Sequence, residues 1–431
     1  MSEEEKNIGI LVGGGPAPGL NGVISSVTIE ARRSGFRVFG IYDGYKWLAK
    51  GDEKLFERNI KELRIRDVSR IHFNGGSILR TSRTNLVKEK NGVSNAVRLL
   101  AKWGIRYLVT VGGDDTAYCA FEIARGSNGR IQIAHIPKTI DNDLPLPENM
   151  STFGFQTARE LGSILVKNLM EDSRITDRWY IVVTMGRITG HLALGIAKSA
   201  GATIAIVPEE FGREGYISFA HVCDILETAI IKRRAMGHRH GVLVIAEGIA
   251  ERLHPDVLKG MPGVEVDYDP FGHMKLSDIE LGKIIKGEIE SRFSKRGEKM
   301  RLVEINIGYV LRCADPISID QEYTRDLGFN AVHYLLSNRP EFSDSALIIV
   351  DNGKLRPMPL NELIDPVTKH TKIRFVDINS ESYKVARSYM VRLEKMDFED
   401  KEFLKKMAQE ARMSVEQFVE RYKYIIEKQQ P

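Results

Sequence analysis

Short, nearly unbroken apolar runs alternate along this chain with longer stretches in which apolar residues recur every three or four positions. Runs of the first kind occupy residues 8–12, 38–42, 107–111, 131–136, 179–184, 202–207, 241–246, 303–310 and 346–350. Their length and β-branched content predict strands buried on both faces. Stretches of the second kind occupy 21–33, 93–103, 191–200, 219–236 and 327–336 and predict helices. The alternation predicts βαβ units and mainly parallel sheets, an α/β fold. From about residue 382 to 428 the chain turns rich in Lys, Glu and Leu and reads as helices, with Ser414 and Gln417 spaced as a capping box. That tail is expected to wrap the surface or to form an interface.

In parallel sheets ligands gather outside the carboxyl ends of strands, where the strand order reverses. The unusual loops of this chain fall there: Gly13 to Gly19, Gly112 to Thr116, Pro137 to Asp143, Met185 to Gly190 and Glu247-Gly248. The first, GGGPAPG, has Pro18 where a dinucleotide fingerprint needs its third glycine, so that reading fails. A loop of amides opening a helix still suits a phosphate group, with a simple tight turn as the alternative.

GGDDT joins glycines, which allow close backbone approach, to adjacent carboxylates. Asp114 is placed to hold a magnesium ion bridging phosphate oxygens. The structural alternative is helix capping by Asp115 or Thr116. In PKTIDND, an extended backbone would turn Asp141 and Asp143 to one side and Asn142 to the other. Two carboxylates on one side can divide the work of a base and its orienter, beside the point charge of Lys138. An Asx turn leading into Pro145 is the alternative. MGRITGH offers Arg187 as a fork for phosphate, AEGI offers Glu247 to sugar hydroxyls, and GYVLR offers Tyr309 and Arg312 on a further strand.

With 431 residues two domains are expected, and 42% hydrophobic with 28% charged residues is the composition of a soluble globular protein. No apolar run is long enough for a bilayer, and MSEEEKN lacks the order of a signal peptide. A net charge of +4 is too mild to point to nucleic acid. The densest basic run, Lys232-Arg233-Arg234 beside His238 and His240, reads as a solvated helix end, an anion or effector site being the alternative. Cys119, Cys223 and Cys313 have no metal-ligand spacing and read as buried packing residues in a reducing cytosol.

In this order, GGD, P-x-TIDND, MGR and AEG resemble the phosphofructokinase family over about residues 8–336. In ATP-dependent members glycine stands where this chain has Asp115, and again where it has Lys138. Aspartate and lysine there resemble the pyrophosphate-dependent branch, with the ATP-dependent enzyme as the alternative. The resemblance implies two Rossmann-like α/β domains with the site in the cleft between them and a helical C-terminal extension. The first domain would span 1–150 with a returning segment about 313–370, the second 151–312, and the extension 371–431.

The implied reaction is reversible transfer of a phosphoryl group from pyrophosphate to the 1-hydroxyl of fructose 6-phosphate, with Mg2+, in the cytoplasm. The implied assembly is a homodimer or homotetramer. Asp141 would be the base, held near Thr139 and Asp143, with Asp115 and Lys138 also catalytic, and Thr139, Ile140 and Asp143 would contact substrate. Asp114 would hold magnesium, and Gly14 would contact pyrophosphate through its backbone. Met185, Gly186, Arg187, Glu247, Tyr309 and Arg312 would bind fructose 6-phosphate. Arg83 and Arg178 would be further phosphate contacts, Arg178 across a subunit boundary. Tyr309 stands where the ATP enzymes usually have histidine. Asp115 would set volume and negative charge where the α-phosphate of ATP passes, and Lys138 an ammonium against the transferring phosphates.

Overall fold

The structure, a computed structural model, describes residues 7–147, 150–212, 215–259, 279–337, 345–365 and 371–428. The acidic N-terminal residues 1–6 lie outside the described residues. The strands in chain order are β1 (Asn7–Val12), β2 (Arg37–Ile41), β3 (Ile60–Leu63), β4 (Ile105–Gly112), β5 (Gln132–Pro137), β6 (Trp179–Thr184), β7 (Ile204–Ile206), β8 (Gly241–Ala246), β9 (Leu302–Ile307), β10 (Ser345–Leu347), β11 (Val350–Asp351), β12 (Lys354–Leu355) and β13 (Met358–Pro359). The chain divides into two compact units, one from the described residues up to 158 with 310–374, the other from 159–309 with 375–428.

The first unit holds a seven-stranded sheet in the order β13-β10-β5-β4-β1-β2-β3. Its central pairs are parallel, and only the edge strands β13 and β3 run antiparallel to their neighbours. Alternation along β1 decides what covers each face. Ile8, Ile10 and Val12 join a core with Leu20, Val23 and Val27 of the helix Leu20–Arg33 and Leu327 and Ala331 of the helix Ser318–Leu336. Leu11 joins the opposite core with Leu99 and Leu100 of the helix Gly92–Lys102 and Ala117 and Ala120 of the helix Asp114–Gly126. Both faces are covered, which is why every residue of β1 is buried.

The second unit has a four-stranded, wholly parallel sheet in the order β7-β8-β6-β9. Its helix Phe219–Ala235 is buried over most of its length from Val222 to Ile231. The tail is helical, and its helices Glu381–Ser388, Lys401–Glu410 and Val415–Tyr422 start on Ser380, Asp400 and Ser414, each accepting a hydrogen bond from a first-turn amide. The Ser414–Gln417 capping box forms.

Several sequence expectations change. The run 303–310 is not one strand: β9 ends at Ile307, opposite the last residue of its partner β6, and Tyr309–Arg312 forms a helical turn. Residues 346–350 likewise split, β10 ending at Leu347 and Val350 pairing with Leu355 in a small hairpin. Of the cysteines, Cys119 and Cys223 are buried but Cys313 is exposed. The basic run is not a solvated helix end. Lys232 pairs with Asp397 at 2.7 Å and Arg234 with Glu298 and Glu410 at 2.8 Å, so the opposite charges come from segments distant in sequence. Among the described residues no helix is long and apolar enough to cross a membrane.

Candidate active site

In the first unit β5, β4 and β1 are neighbours and parallel, so the loops leaving their carboxyl ends emerge side by side. The chain runs from β1 to β2 and β3 on one side and returns to β4 on the other side of β1, which makes this the switch point of the sheet. Gly13 and Gly112 lie against the Thr116 side chain: a Cβ on either would come within 2.5 Å of its Oγ1. Only glycine lets these two loops close over the start of the helix Asp114–Gly126. Gly113 is the N-cap of that helix, with no side-chain cap bond, so Asp114 and Asp115 occupy its first turn rather than the cap. Their carboxylates stand at the positive end of the helix dipole.

Lys138 leaves β5 into this cluster and is 4% exposed. Its Nζ donates to the Gly15 carbonyl at 2.6 Å. A Cβ on Gly14 would lie 3.3 Å from the same Nζ, and one on Gly15 would lie 3.3 Å from the Arg312 guanidinium carbon. The glycine loop is thus the surface on which two cations meet. Burial, and then the Arg312 charge, push the Lys138 pKa down to about 8 against the opposing pull of Asp141, Asp143 and Asp114. Three carboxylates and two cations therefore act on one another around the buried Lys138 ammonium.

The Gly112 carbonyl fixes the geometry beneath. It accepts the Lys138 amide at 2.9 Å and His135 Nε2 at 3.1 Å. A carbonyl only accepts, so Nε2 carries the proton, and Nδ1 accepts from the Thr110 hydroxyl at 2.8 Å. Burial pushes the His135 pKa down to about 3, which keeps the ring neutral.

The 139–143 segment is not extended as expected. Asn142 takes a left-handed conformation with φ 59°, and the Asp141 amide donates to Thr139 Oγ1 at 3.0 Å. Thr152 clamps the turn, its amide to Asn142 Oδ1 at 3.1 Å and its hydroxyl to the Thr139 carbonyl at 2.7 Å. Asp141 and Asp143 stay buried by this route, at 6% and 7% exposure, and Ile140 packs beside them. Gly14 also differs from expectation: its amide donates to the Ser82 carbonyl at 3.0 Å and its carbonyl accepts from Thr81. That pairing carries Arg83, exposed, to the rim of the glycine loop.

In the second unit β8, β6 and β9 are adjacent, and the MGR, AEG and GY turns leave their carboxyl ends. Glu247 Oε1 accepts the amides of Gly186 and Arg187 at 3.0 and 2.9 Å, which holds Arg187 in a left-handed conformation with φ 51°. One carboxylate oxygen expected to meet sugar hydroxyls thus shapes the neighbouring turn. Gly248 cannot carry a side chain, because a Cβ would stand 2.4 Å from the Arg187 carbonyl. Met185 donates its amide to Ile307 and packs on Gly308, which brings Tyr309 beside it.

Residues 7–335 match the family described as Phosphofructokinase. The chain belongs to the phosphofructokinase family. It is 53% identical over 419 residues to pyrophosphate--fructose 6-phosphate 1-phosphotransferase of Thermotoga maritima, covering 97% of this chain and 98% of that one. A protein of the same name from Naegleria fowleri is 46% identical over 97% of this chain and 96% of its own. Of solved structures, the T-state phosphofructokinase of Pichia pastoris is similar with a TM-score of 0.64 at 24% identity. That match covers 98% of this chain and 40% of the longer yeast chain, and it shows the fold alone.

Two placements in this phosphofructokinase stand apart. Arg178 precedes β6, so it lies at the amino end of a strand whose carboxyl end carries Met185, about 20 Å away along the strand. Arg312 does not sit on a strand with Tyr309; it belongs to the first unit, on the glycine loop beside Lys138. The sequence reading missed Arg374, which lies beyond the family match and carries no motif. Its guanidinium donates to the carbonyls of Asn142, Leu146, Pro147 and Met150, and its amide donates to the Asp143 carbonyl.

Proposed function

We propose that this phosphofructokinase transfers a phosphoryl group from pyrophosphate to the 1-hydroxyl of fructose 6-phosphate, giving fructose 1,6-bisphosphate and phosphate, reversibly. The observation that carries the reading is Lys138, buried against Gly15 and acted on by Asp114, Asp141 and Asp143. Its ammonium occupies the space beside the glycine loop in which a longer donor would have to lie. A small, highly charged donor gains most from fixed cations, and Lys138 with Arg312 supplies two.

Asp141 takes the proton of the attacking hydroxyl, its backbone set by Thr139 and its segment by Thr152. Asp143 orients it. Asp115 keeps negative charge beside the donor and opposes a nucleotide there. Gly14 shapes the donor pocket and Arg83 stands at its rim. Met185, Gly186, Arg187, Glu247 and Tyr309 bind the sugar phosphate. Arg178, at the far end of β6, serves a neighbouring copy in a homodimer or homotetramer.

Magnesium suits this donor set. Among the described residues no three His, Cys, Asp or Glu side chains form a cage, but Mg2+ is commonly held by one or two carboxylates together with substrate phosphates. Asp114, on the helix N-terminus and close enough to act on Lys138, is the carboxylate that would hold it. The ion would neutralise charge on the phosphate oxygens. Three free thiols fit a reducing cytoplasm.

The deciding experiment assays the purified chain with fructose 6-phosphate and Mg2+ in parallel with pyrophosphate and with ATP, following bisphosphate formation. Turnover with pyrophosphate at least a hundredfold above that with ATP is expected. Preference for ATP would sink the reading in favour of the ATP-dependent enzyme.

A further inference from the structure

Within the second unit, a cavity of about 100 Å3 lies among residues brought together by the tail. Its charged lining is Glu210, His221, Lys384, Arg387, Arg392 and Lys428. All four permanent cations lie beyond residue 335, outside the segment that matches the family. None of them takes part in the proposed catalysis.

The charges do not balance. Glu210 accepts from Arg392, Nη1 at 2.5 Å and Nη2 at 2.8 Å, so the one lining carboxylate is already forked to one arginine. His221 adds no charge, because burial and then Lys428 push its pKa down. Lys384 pairs with Glu381 at 2.8 Å, but both side chains are exposed, and such a pair is weak and exchangeable. Arg387 is pushed down to about 10 by burial first and then by the Arg392 charge, against the opposing pull of Glu210, Tyr383 and Glu394. Two guanidinium groups are therefore close enough to repel one another where water is scarce.

A second observation points the same way. Arg392 is 3% exposed, and its Nε is buried with no hydrogen-bond partner. A buried donor left unsatisfied is destabilising. An anion in the cavity would offset the Arg387–Arg392 repulsion. Planar forks and ammonium groups around a small volume suit a phosphate group better than a single carboxylate, since the lining sets four permanent cations against one acidic side chain.

We propose that this cavity is a binding site for a small phosphate-bearing anion, held by Arg387, Arg392, Lys384 and Lys428. Occupancy would tie the helix Glu381–Ser388 and the end of the tail to the helix Phe219–Ala235. The site is independent of the catalytic reading, since none of its residues lies on the catalytic loops.

Calorimetric titration tests it, with inorganic phosphate in one arm and a phosphomonoester, glycerol 2-phosphate, in the other. The wild-type chain is compared with the double variant Lys384→Met/Lys428→Met, whose two side chains are exposed, and with Arg387→Met. The double variant should lose one class of phosphate site, with affinity at least tenfold weaker, and should keep its kcat in phosphate-free buffer. Tighter binding of the monoester would identify a phosphorylated metabolite as the occupant, and tighter binding of inorganic phosphate would identify the free ion. Unchanged stoichiometry and affinity in the double variant would place all bound phosphate elsewhere and overturn the proposal. Should Arg387→Met fail to fold, the double variant alone decides.

Discussion

Arg374 holds Asn142 by both its backbone and its side chain: Nε and Nη2 reach the Asn142 carbonyl at 3.2 and 3.1 Å, and Nη2 also bonds to Asn142 Oδ1. Asn142 sits between the two carboxylates Asp141 and Asp143, in a left-handed conformation that a side chain adopts at a cost. The arginine offsets that cost by donating to carbonyls that would otherwise be buried at a tight turn. Replacing Arg374 by Met should leave the fold intact and lower kcat about 10–100-fold with little change in KM, since small displacements of a reacting group have effects of that size. Arg374→Lys should restore little, because one ammonium cannot serve a fan of carbonyls. Wild-type kcat in the Met variant, from steady-state kinetics, would remove the positioning role.

Asp141 carries the proton in the proposed reaction. Asp141→Ser should lower kcat by roughly 10²–10⁴-fold, the range for a general base. An active Ser variant would show that another group takes the proton.

In the proposed reaction, donor choice rests on Asp115 and Lys138. The double change Asp115→Gly with Lys138→Gly should weaken pyrophosphate use and admit ATP, because it opens volume and removes one charge of each sign beside the glycine loop. The readout is kcat/KM for both donors side by side. An unchanged ratio would locate the gate elsewhere.

The helices Phe219–Ala235 and Leu281–Lys295 are joined by buried charge. Glu227, fully buried, accepts from Arg292 Nη1 at 3.0 Å and also from Arg296, while Arg292 reaches Asp224 at 2.6 Å. Glu227→Ala leaves two guanidinium groups without their central acceptor and should destabilise the chain by about 3–5 kcal/mol. A melting temperature within a degree of wild type would show that the network contributes nothing.

His135 makes stability depend on acid. Its folded-state pKa, about 3, lies below the ordinary histidine value, so below about pH 6.5 the unfolded chain binds a proton that the native ring refuses. Stability from this group is complete above that pH and falls by about 1.4 kcal/mol per unit as pH drops toward 3. His72, His221 and His240, also lowered by burial, add in the same direction. His135→Gln should therefore lose less melting temperature between pH 7 and pH 5 than wild type does. Equal losses would mean that the ring does not govern the acid limb.

The apolar runs of 8–12, 179–184 and 241–246 determined strands by themselves, because a segment covered on both faces must be apolar throughout. The glycine, aspartate and lysine loops after strands were likewise legible, since their residue types serve phosphate chemistry wherever they sit. Tertiary structure alone decided how those loops are held. Nothing local marks Arg374 as the support of Asn142, or Asp397, Glu298 and Glu410 as the partners of the 232–234 cations. Residue 312 likewise follows Tyr309 closely in sequence yet faces the glycine loop of the first unit. The physical reason is that a chain's local pattern sets which face is buried. Which charge meets which depends on segments far apart in sequence arriving at one point, and no periodicity encodes that.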